Sequence, residues 1–472
     1  LEEKEMKLNP SIFRMYDIRG VVDTDLTADT VTAIGYGFGK FLKSRTPGKS
    51  LTVAIAGDAR ESTPVFIQYL TGALNSLGIS VLNGGLIPTP VLYFSGFDRK
   101  VDGAIVVTAS HNPPEFNGFK MLIGTDALSG KEIQEVYELA QGWQKGLPES
   151  GKSGNSTKVD MLSPYLKYFQ NQFPENSAAG IKVVVDAGNG IAGPVGPGVF
   201  REMGCEVVEL FCEVDGHFPN HHPDPTVEAN MVDIRKKVLT KKADLGIAFD
   251  GDGDRLGVVD DKGRIIWGDQ LLTLFALDIL KEKGSGTFIG EVKCSQIMYD
   301  LIEKAGGNAI MWTTGHSIIK KKMKEVHALL AGEMSGHIFF ADRYFGFDDA
   351  IYAGCRMLEM LKKDGRKLSE IFDTLPRMIA TPEMKVDCPD EKKFQVISAM
   401  QEAVSTGSAN LPGLKKVITI DGLRMIFEDG WSLVRASNTQ PVLVLRMEAS
   451  DETALSRIRT LTETFLHHFL NN

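Results

Sequence analysis

Short β-branched runs alternate along most of the chain with stretches of helical period, and the same order recurs three times. An apolar strand is followed by a helical stretch, a second strand, and a third strand that empties into a polar loop. The opening strands are predicted at 51–56, 181–185 and 287–292, and the closing strands at 103–107, 245–249 and 327–331. Near-continuous apolar strands between helices predict largely parallel or mixed sheets covered on both faces. After residue 382 the pattern changes to short strands at 384–386, 417–420, 423–427, 432–435 and 442–447 and a last helix at 452–468, a small α+β unit. The polar stretch 142–156 reads as a linker or long surface loop, with further boundaries near 260–263 and 374–382. The expected architecture is α/β: three similar mixed-sheet α/β domains around a central cleft (1–156, 157–261 and 262–376) plus a smaller C-terminal α+β domain (377–472). Ligands of such sheets bind beyond the carboxyl ends of the strands, so the three loops after the closing strands are expected to converge.

With 472 residues the chain exceeds what one core organises, in keeping with several domains. Fifty-two Lys and Arg against 61 Asp and Glu give a net charge of −9, which offers no general attraction to nucleic acid or membrane surfaces. An anionic substrate must therefore meet a local basic cleft. Cys205, Cys212, Cys294, Cys355 and Cys388 are odd in number, scattered, and form no C-x-x-C pair, which argues against a disulfide framework or a zinc site. No apolar run is long enough for a membrane span, and a cytoplasmic protein is expected.

The three closing loops carry different chemistry. Thr108-Ala109-Ser110-His111-Asn112-Pro113-Pro114 supplies a hydroxyl at the mouth of a strand, with two prolines that preset the following backbone. Taken alone, Ser110 reads as a turn serine; nothing like G-x-S-x-G surrounds it. Asp250-Gly251-Asp252-Gly253-Asp254-Arg255 sets three carboxylates at alternate positions, with glycines that let the backbone bring them together. Such hard oxygen ligands suit Mg²⁺ better than zinc. A calcium loop is excluded, because Arg255 stands at its sixth place and Asp261 at its twelfth. A solvated acidic turn remains the other reading. A serine and a hard-metal cage together are what phosphoryl transfer through a metal-bound phosphoserine needs.

Gly332-Glu333-Met334-Ser335-Gly336-His337 reads either as a capped connection or as a grip for vicinal sugar hydroxyls. Arg435-Ala436-Ser437-Asn438-Thr439 offers charge-assisted donors, hydroxyls and backbone N–H groups for a phosphate, or else an edge-strand turn. Together the two describe a phosphosugar pocket. Two nucleotide patterns are set aside. Gly146 to Ser153 matches a P-loop but follows no strand, and Gly188-Asn189-Gly190-Ile191-Ala192-Gly193, with Glu209 downstream, reads as a structural turn more readily than a dinucleotide site.

At this point the chain resembles the α-D-phosphohexomutase family, in its phosphomannomutase/phosphoglucomutase branch. The resemblance spans essentially the whole sequence: Phe13-Arg14-Met15-Tyr16-Asp17-Ile18-Arg19-Gly20, the serine loop through Lys120, Phe218-Pro219-Asn220-His221-His222-Pro223, the metal loop, Thr314-Gly315-His316-Ser317, Gly332 to His337, and Arg435 to Thr439. It implies that Ser110 carries a phosphate and that Asp250, Asp252, Asp254 and that phosphate hold Mg²⁺. It further implies general acid/base work for Lys120, with His316 and His337 nearby, and charge neutralisation by Arg19 and Arg255. Glu333, Met334, Ser335 and Gly336 would line the sugar, and Arg435, Ser437, Asn438 and Thr439 would clamp the phosphate that is not reacting. Tyr16 and Lys293 complete the cleft in the family; their other readings are core packing and a solvated strand end. One departure is the stretch Ala56-Gly57-Asp58-Ala59-Arg60, where the family commonly has a larger residue immediately before the aspartate; this touches domain-one structure more than chemistry. Met334 resembles the mannose/glucose branch and not the phosphoglucosamine mutases.

The reaction so implied interconverts hexose 1-phosphate and hexose 6-phosphate through phosphoserine and a 1,6-bisphosphate, with glucose 1,6-bisphosphate as activator. The expected partner is a small phosphosugar, with no nucleic acid and no membrane, and the protein a monomer or weak homo-oligomer. A phosphoglucosamine mutase, a Mg²⁺-dependent sugar phosphatase and a non-catalytic phosphosugar-binding protein are the alternatives.

Overall fold

The computed structural model describes residues 8–144, 153–438 and 440–470. The first sheet runs Ile18–Val21, Phe116–Ile123, Gly103–Val107, Thr52–Gly57, Ser80–Leu86, Ser156–Lys158, with Asp126–Ala127 beside Phe116–Ile123. The second runs Ile265–Ile266, Leu256–Asp260, Leu245–Phe249, Lys182–Asp186, Glu206–Leu210, and the third Asn308–Trp312, Thr287–Glu291, Leu330–Gly332, Ile338–Phe340. In all three the opening strand lies between two parallel neighbours, as buried apolar strands require. The closing strand then turns back into an antiparallel partner, pairing Val107 with Phe119, Phe249 with Leu256 and Gly332 with Ile338. The serine, metal and Glu333 loops are therefore the same connection in three copies.

Strand ends shift by a residue or two from expectation, and two starts shift by three: the strand expected from 417 begins at Leu414, and the third closing strand begins late. The third closing strand begins at Leu330, because His327 is left-handed (φ 51°) and closes the helix His316–Val326 by donating its N–H to Met323. A helix C-cap outranks β propensity there.

The fourth sheet is antiparallel: Leu414–Ile418, Leu423–Phe427, Gly430–Ala436 and Val442–Ala449 form a meander, and Ile379–Ala380 and Met384–Asp387 both pair with Val442–Ala449. The helices Asp390–Ser405 and Glu452–Leu470 cover it, over a core that includes Met425, Val434, Leu445 and Ile458.

One core runs through the first three sheets, from Phe94 through Tyr165, Phe200 and Phe249 to Phe275 and Tyr352. At its centre Tyr344 stacks on Tyr352 with ring centroids 3.9 Å apart, and Asp349 accepts the hydroxyls of Tyr344 (2.8 Å) and Tyr165 (3.1 Å). Asp349 also caps the helix Ala350–Asp364 through the Tyr352 N–H. Continuous packing of this kind fixes the three sheets against each other and so brings their loops to one place.

The five cysteines are buried and unpaired. Among the described residues no helix is long and apolar enough to cross a membrane. The P-loop pattern at 146–153 lies, apart from Ser153, outside the described residues. The glycines at 188, 190 and 193 have packing reasons: a Cβ on Gly188 would lie 3.0 Å from Pro223, on Gly190 2.9 Å from Gly251 O, and on Gly193 2.1 Å from Cys212 O. Glu209 pairs with Arg201 at 2.5 Å on the surface.

Candidate active site

Ser110 leaves the end of Gly103–Val107 in the left-handed region, φ 52°, a conformation that costs a non-glycine residue about 1–2 kcal/mol. Its N–H donates to Thr108 Oγ1 at 2.8 Å, and its Oγ donates to Asp250 Oδ2 at 2.6 Å with His111 Nδ1 at 3.0 Å. The serine and metal loops thus touch directly. Burial and the adjacent Asp254 and Asp252 push the Asp250 carboxyl well above the usual carboxylate range. Its Oδ1 accepts the N–H groups of Gly253, Asp254 and Arg255, which shapes the loop. The alternating glycines are required by geometry: a Cβ on Gly251 would stand 2.4 Å from Ser110 O, and Gly253 has φ +80°.

The three aspartates are fully buried and each offers one oxygen within 4.8 Å of the others. Lys120 Nζ bridges Asp252 Oδ2 (2.7 Å) and Asp254 Oδ2 (2.5 Å), while Asp252 Oδ1 and Asp254 Oδ1 are buried with no hydrogen-bond partner. Unpartnered buried carboxylate oxygens are costly, and a hard divalent cation satisfies them. The residues fit such an ion. Burial disfavours the Lys120 ammonium, but Asp252 and Asp254 outweigh it and hold its pKa well above the ordinary value. A solvated acidic turn is ruled out by the burial.

Arg255 donates Nε to His337 Nε2 at 3.0 Å, which leaves the proton of a neutral His337 on Nδ1, 3.0 Å from Asp348 Oδ2 and 3.5 Å from Asp254 Oδ1. His316 stacks on His337 at 5.6 Å, and burial, then Lys320, hold it well below the usual imidazole pKa. Arg19 is aimed by Asp17 (2.7 Å) and Asn112 Oδ1 (2.7 Å), at the rim of the serine loop.

The residues expected on the sugar side converge from the third and fourth domains. Glu333 Oε1 accepts the Gly315 N–H at 2.8 Å, and Glu291 accepts the Met334 N–H at 3.0 Å. Lys293 lies 3.0 Å from Glu383 and 3.4 Å from Glu291, so it is a buried ion-pair member and not a solvated strand end. Ser335 is half-buried, Gly336 has φ +88°, and Met334 Sδ meets Arg446. Arg435 is buried against Asp421 (3.0 Å), Ser437 Oγ accepts the Gln440 N–H, and Asn438 reaches Tyr16. Thr439 lies outside the described residues.

Several members were not legible as motifs. Asp348 bridges His337 and Lys320 (2.9 Å), Thr89 holds Asp252 Oδ2 (2.7 Å), and Glu291 fastens the Met334 loop. Asp58 and Arg60 belong to the serine loop itself: Asp58 accepts Thr108 Oγ1 at 2.7 Å and Arg60 donates to Ser110 O at 2.9 Å. The Gly57-Asp58-Ala59-Arg60 stretch therefore bears on the chemistry, contrary to the expectation that it concerned domain structure. Its signal was an Asp and an Arg directly after an opening strand.

The serine loop, the acid cage and the loops of the third and fourth domains are joined in one fold by sequence similarity as well. Residues 10–146, 163–263 and 267–378 match the phosphoglucomutase/phosphomannomutase alpha/beta/alpha domains I, II and III, and 383–462 the C-terminal domain. The chain belongs to the phosphoglucomutase/phosphomannomutase family. It is 45% identical over 458 residues to a phosphomannomutase/phosphoglucomutase of Pseudomonas aeruginosa, covering 97% of this chain and 96% of that one. A phosphoglucomutase of Neisseria gonorrhoeae is 42% identical over 450 residues, 95% of each chain. The crystal structure of a phosphoglucomutase/phosphomannomutase family protein from Burkholderia thailandensis superposes with a TM-score of 0.89 at 40% identity, covering 98% of both chains.

Proposed function

We propose that the protein is a phosphohexomutase that interconverts the 1- and 6-phosphates of glucose and mannose through a phosphorylated Ser110. The observation that carries this reading is the 2.6 Å contact between Ser110 Oγ and Asp250 inside a buried triad of aspartates. In the forward half, the bond from phosphorus to Ser110 Oγ breaks as a sugar hydroxyl bonds to phosphorus and gives up its proton. The 1,6-bisphosphate then turns over, returns its other phosphoryl group to Ser110, and leaves as the isomer.

Asp250, Asp252, Asp254 and a phosphate oxygen on Ser110 would hold Mg²⁺, which when bound supplies positive charge to the moving phosphoryl group. Arg255 beside Asp250 and Arg19 against the serine loop would add charge-assisted donors. Lys120, whose Nζ lies between Asp252 and Asp254 of the metal loop that Ser110 touches, would handle the proton of the reacting hydroxyl, with His316 and His337 stacked nearby. Glu333, Ser335 and Lys293 would hold the sugar, and Arg435, Ser437, Asn438 and Thr439 the unreacting phosphate. Because either phosphate must occupy that clamp, Glu333 is expected to grip hydroxyls near the middle of the ring. The buried serine also keeps water from the phosphoester. Glucose 1,6-bisphosphate would load Ser110.

The sequence relatives favour glucose and mannose over glucosamine. A coupled assay with mannose, glucose and glucosamine 1-phosphates tests this: comparable use of the first two and little of the third is expected, and preference for the amino sugar overturns it. Release of inorganic phosphate in place of isomerised sugar would make the protein a phosphatase.

A further inference from the structure

Arginine has five N–H donors in a rigid fork, and in Arg60 all of them are engaged beneath the serine loop. Nε donates to Asp58 Oδ2 at 3.2 Å, Nη1 to Pro113 O (2.6 Å) and Phe116 O (2.9 Å), and Nη2 to Ser110 O (2.9 Å) and Asn112 O (2.6 Å). The side chain is fully buried, and the Phe218 ring of the second domain lies 5.3 Å from its guanidinium carbon. Asp58 fixes the fork in turn, accepting Thr63 Oγ1, Thr108 Oγ1 and the Arg60 N–H. Thr108 Oγ1 accepts the Ser110 N–H, so both main-chain groups of the nucleophile are tied to this pair.

The carbonyl that Arg60 grips is also the one that Gly251 of the metal loop approaches too closely to allow a Cβ. Ser110 is left-handed, a strained state that persists only where its surroundings over-determine it. Asn112, whose carbonyl Arg60 also holds, aims Arg19 through its side chain.

We propose that Arg60 is a positioning residue for phosphoryl transfer: by fixing the carbonyls of Ser110 and Asn112 it aims Ser110 Oγ at Asp250 and Arg19 at the transferring group. The proposal deepens the mutase reading and rests on it. Lysine, with three donors on a point charge, cannot replace the fork.

The test is steady-state kinetics and amide hydrogen exchange on Arg60→Lys and, as the gentler change, Asp58→Asn. Misplacing reacting atoms by ~1 Å costs about 100-fold in rate. Folded R60K is expected to lose about 100-fold in kcat with KM for the hexose 1-phosphate nearly unchanged, and to show faster exchange in 108–116 alone. D58N is expected to move the same way by less. A folded R60K or, should R60K not fold, a folded D58N with wild-type kcat overturns the proposal, as does a rise in KM matching the fall in kcat. Failure of both variants to fold also overturns it, since the pair would then determine the fold. Wild-type protein that isomerises no hexose phosphate sinks the mutase reading instead, and the exchange of 108–116 then judges Arg60.

Discussion

Asn438 donates its amide to the hydroxyl of Tyr16 at 2.6 Å, and that hydroxyl donates to Thr314 O, also at 2.6 Å. One phenol thus joins the fourth domain, the first domain and the loop before His316. Asp421 adds a second tie by accepting the Thr314 N–H at 3.0 Å. A Cβ on Gly315 would lie 2.5 Å from the Tyr16 ring, so the glycine is what lets the phenol in.

Tyr16→Phe keeps the ring and removes the hydroxyl that links the domains. Two lost hydrogen bonds of about 1 kcal/mol each are expected to lower kcat/KM by up to about thirtyfold while the variant still folds. Steady-state kinetics with hexose 1-phosphate check this.

Chelation tests the acid cage. Removing divalent cations is expected to abolish isomerisation and Mg²⁺ to restore it, while Asp252→Asn fails to recover at the same Mg²⁺ concentration. Calorimetry gives an independent reading, because an ion that binds only the folded state raises the melting temperature of the wild type and not of the variant.

Gly251→Ala sets a methyl group against the Ser110 carbonyl, which cannot yield because Arg60 holds it from the other side. Overpacking of this sort costs about 1–3 kcal/mol. The variant is expected to melt lower and to lose most of its activity, with Gly48→Ala, where nothing lies within 4 Å but φ is +78°, as a control that loses only stability.

Asp349 gives a pH signature to the fold. Burial pushes its carboxyl up to about 7, against donation from the Tyr352 N–H and the Tyr344 and Tyr165 hydroxyls. In the unfolded chain it ionises near its ordinary value, so its contribution to stability is complete below that value and is lost as pH rises to about 7. The rise from 3.8 to about 7 corresponds to about 4 kcal/mol at most. Denaturant unfolding from pH 4 to 7 is expected to show wild type losing stability relative to Asp349→Asn, and parallel curves contradict it.

The sheet repeat was legible because buried parallel strands leave long apolar runs, and the metal loop because Asp-Gly alternation has few other uses. The loops after 107, 249 and 332 are legible because a polar residue, Thr108, Asp250 or Glu333, follows each closing strand directly. Asp348, Glu291 and Thr89 carried no local signal; they matter through partners far away in the chain. Arg60 was hidden for the same reason, as its acceptors are main-chain carbonyls 50 to 56 residues on, which no side-chain pattern records. His327 was read as strand because left-handed capping by histidine leaves no mark in an apolar pattern.

The central claim is a phosphoryl group exchanged through Ser110, and intact mass with peptide mapping tests it most directly. After incubation with glucose 1,6-bisphosphate and Mg²⁺, the protein is expected to carry one phosphate, on Ser110, which leaves when hexose phosphate is added; Ser110→Ala is expected to take up none and to be inactive. An unphosphorylated Ser110 throughout turnover, or a Ser110→Ala variant isomerising at the wild-type rate, would contradict the account.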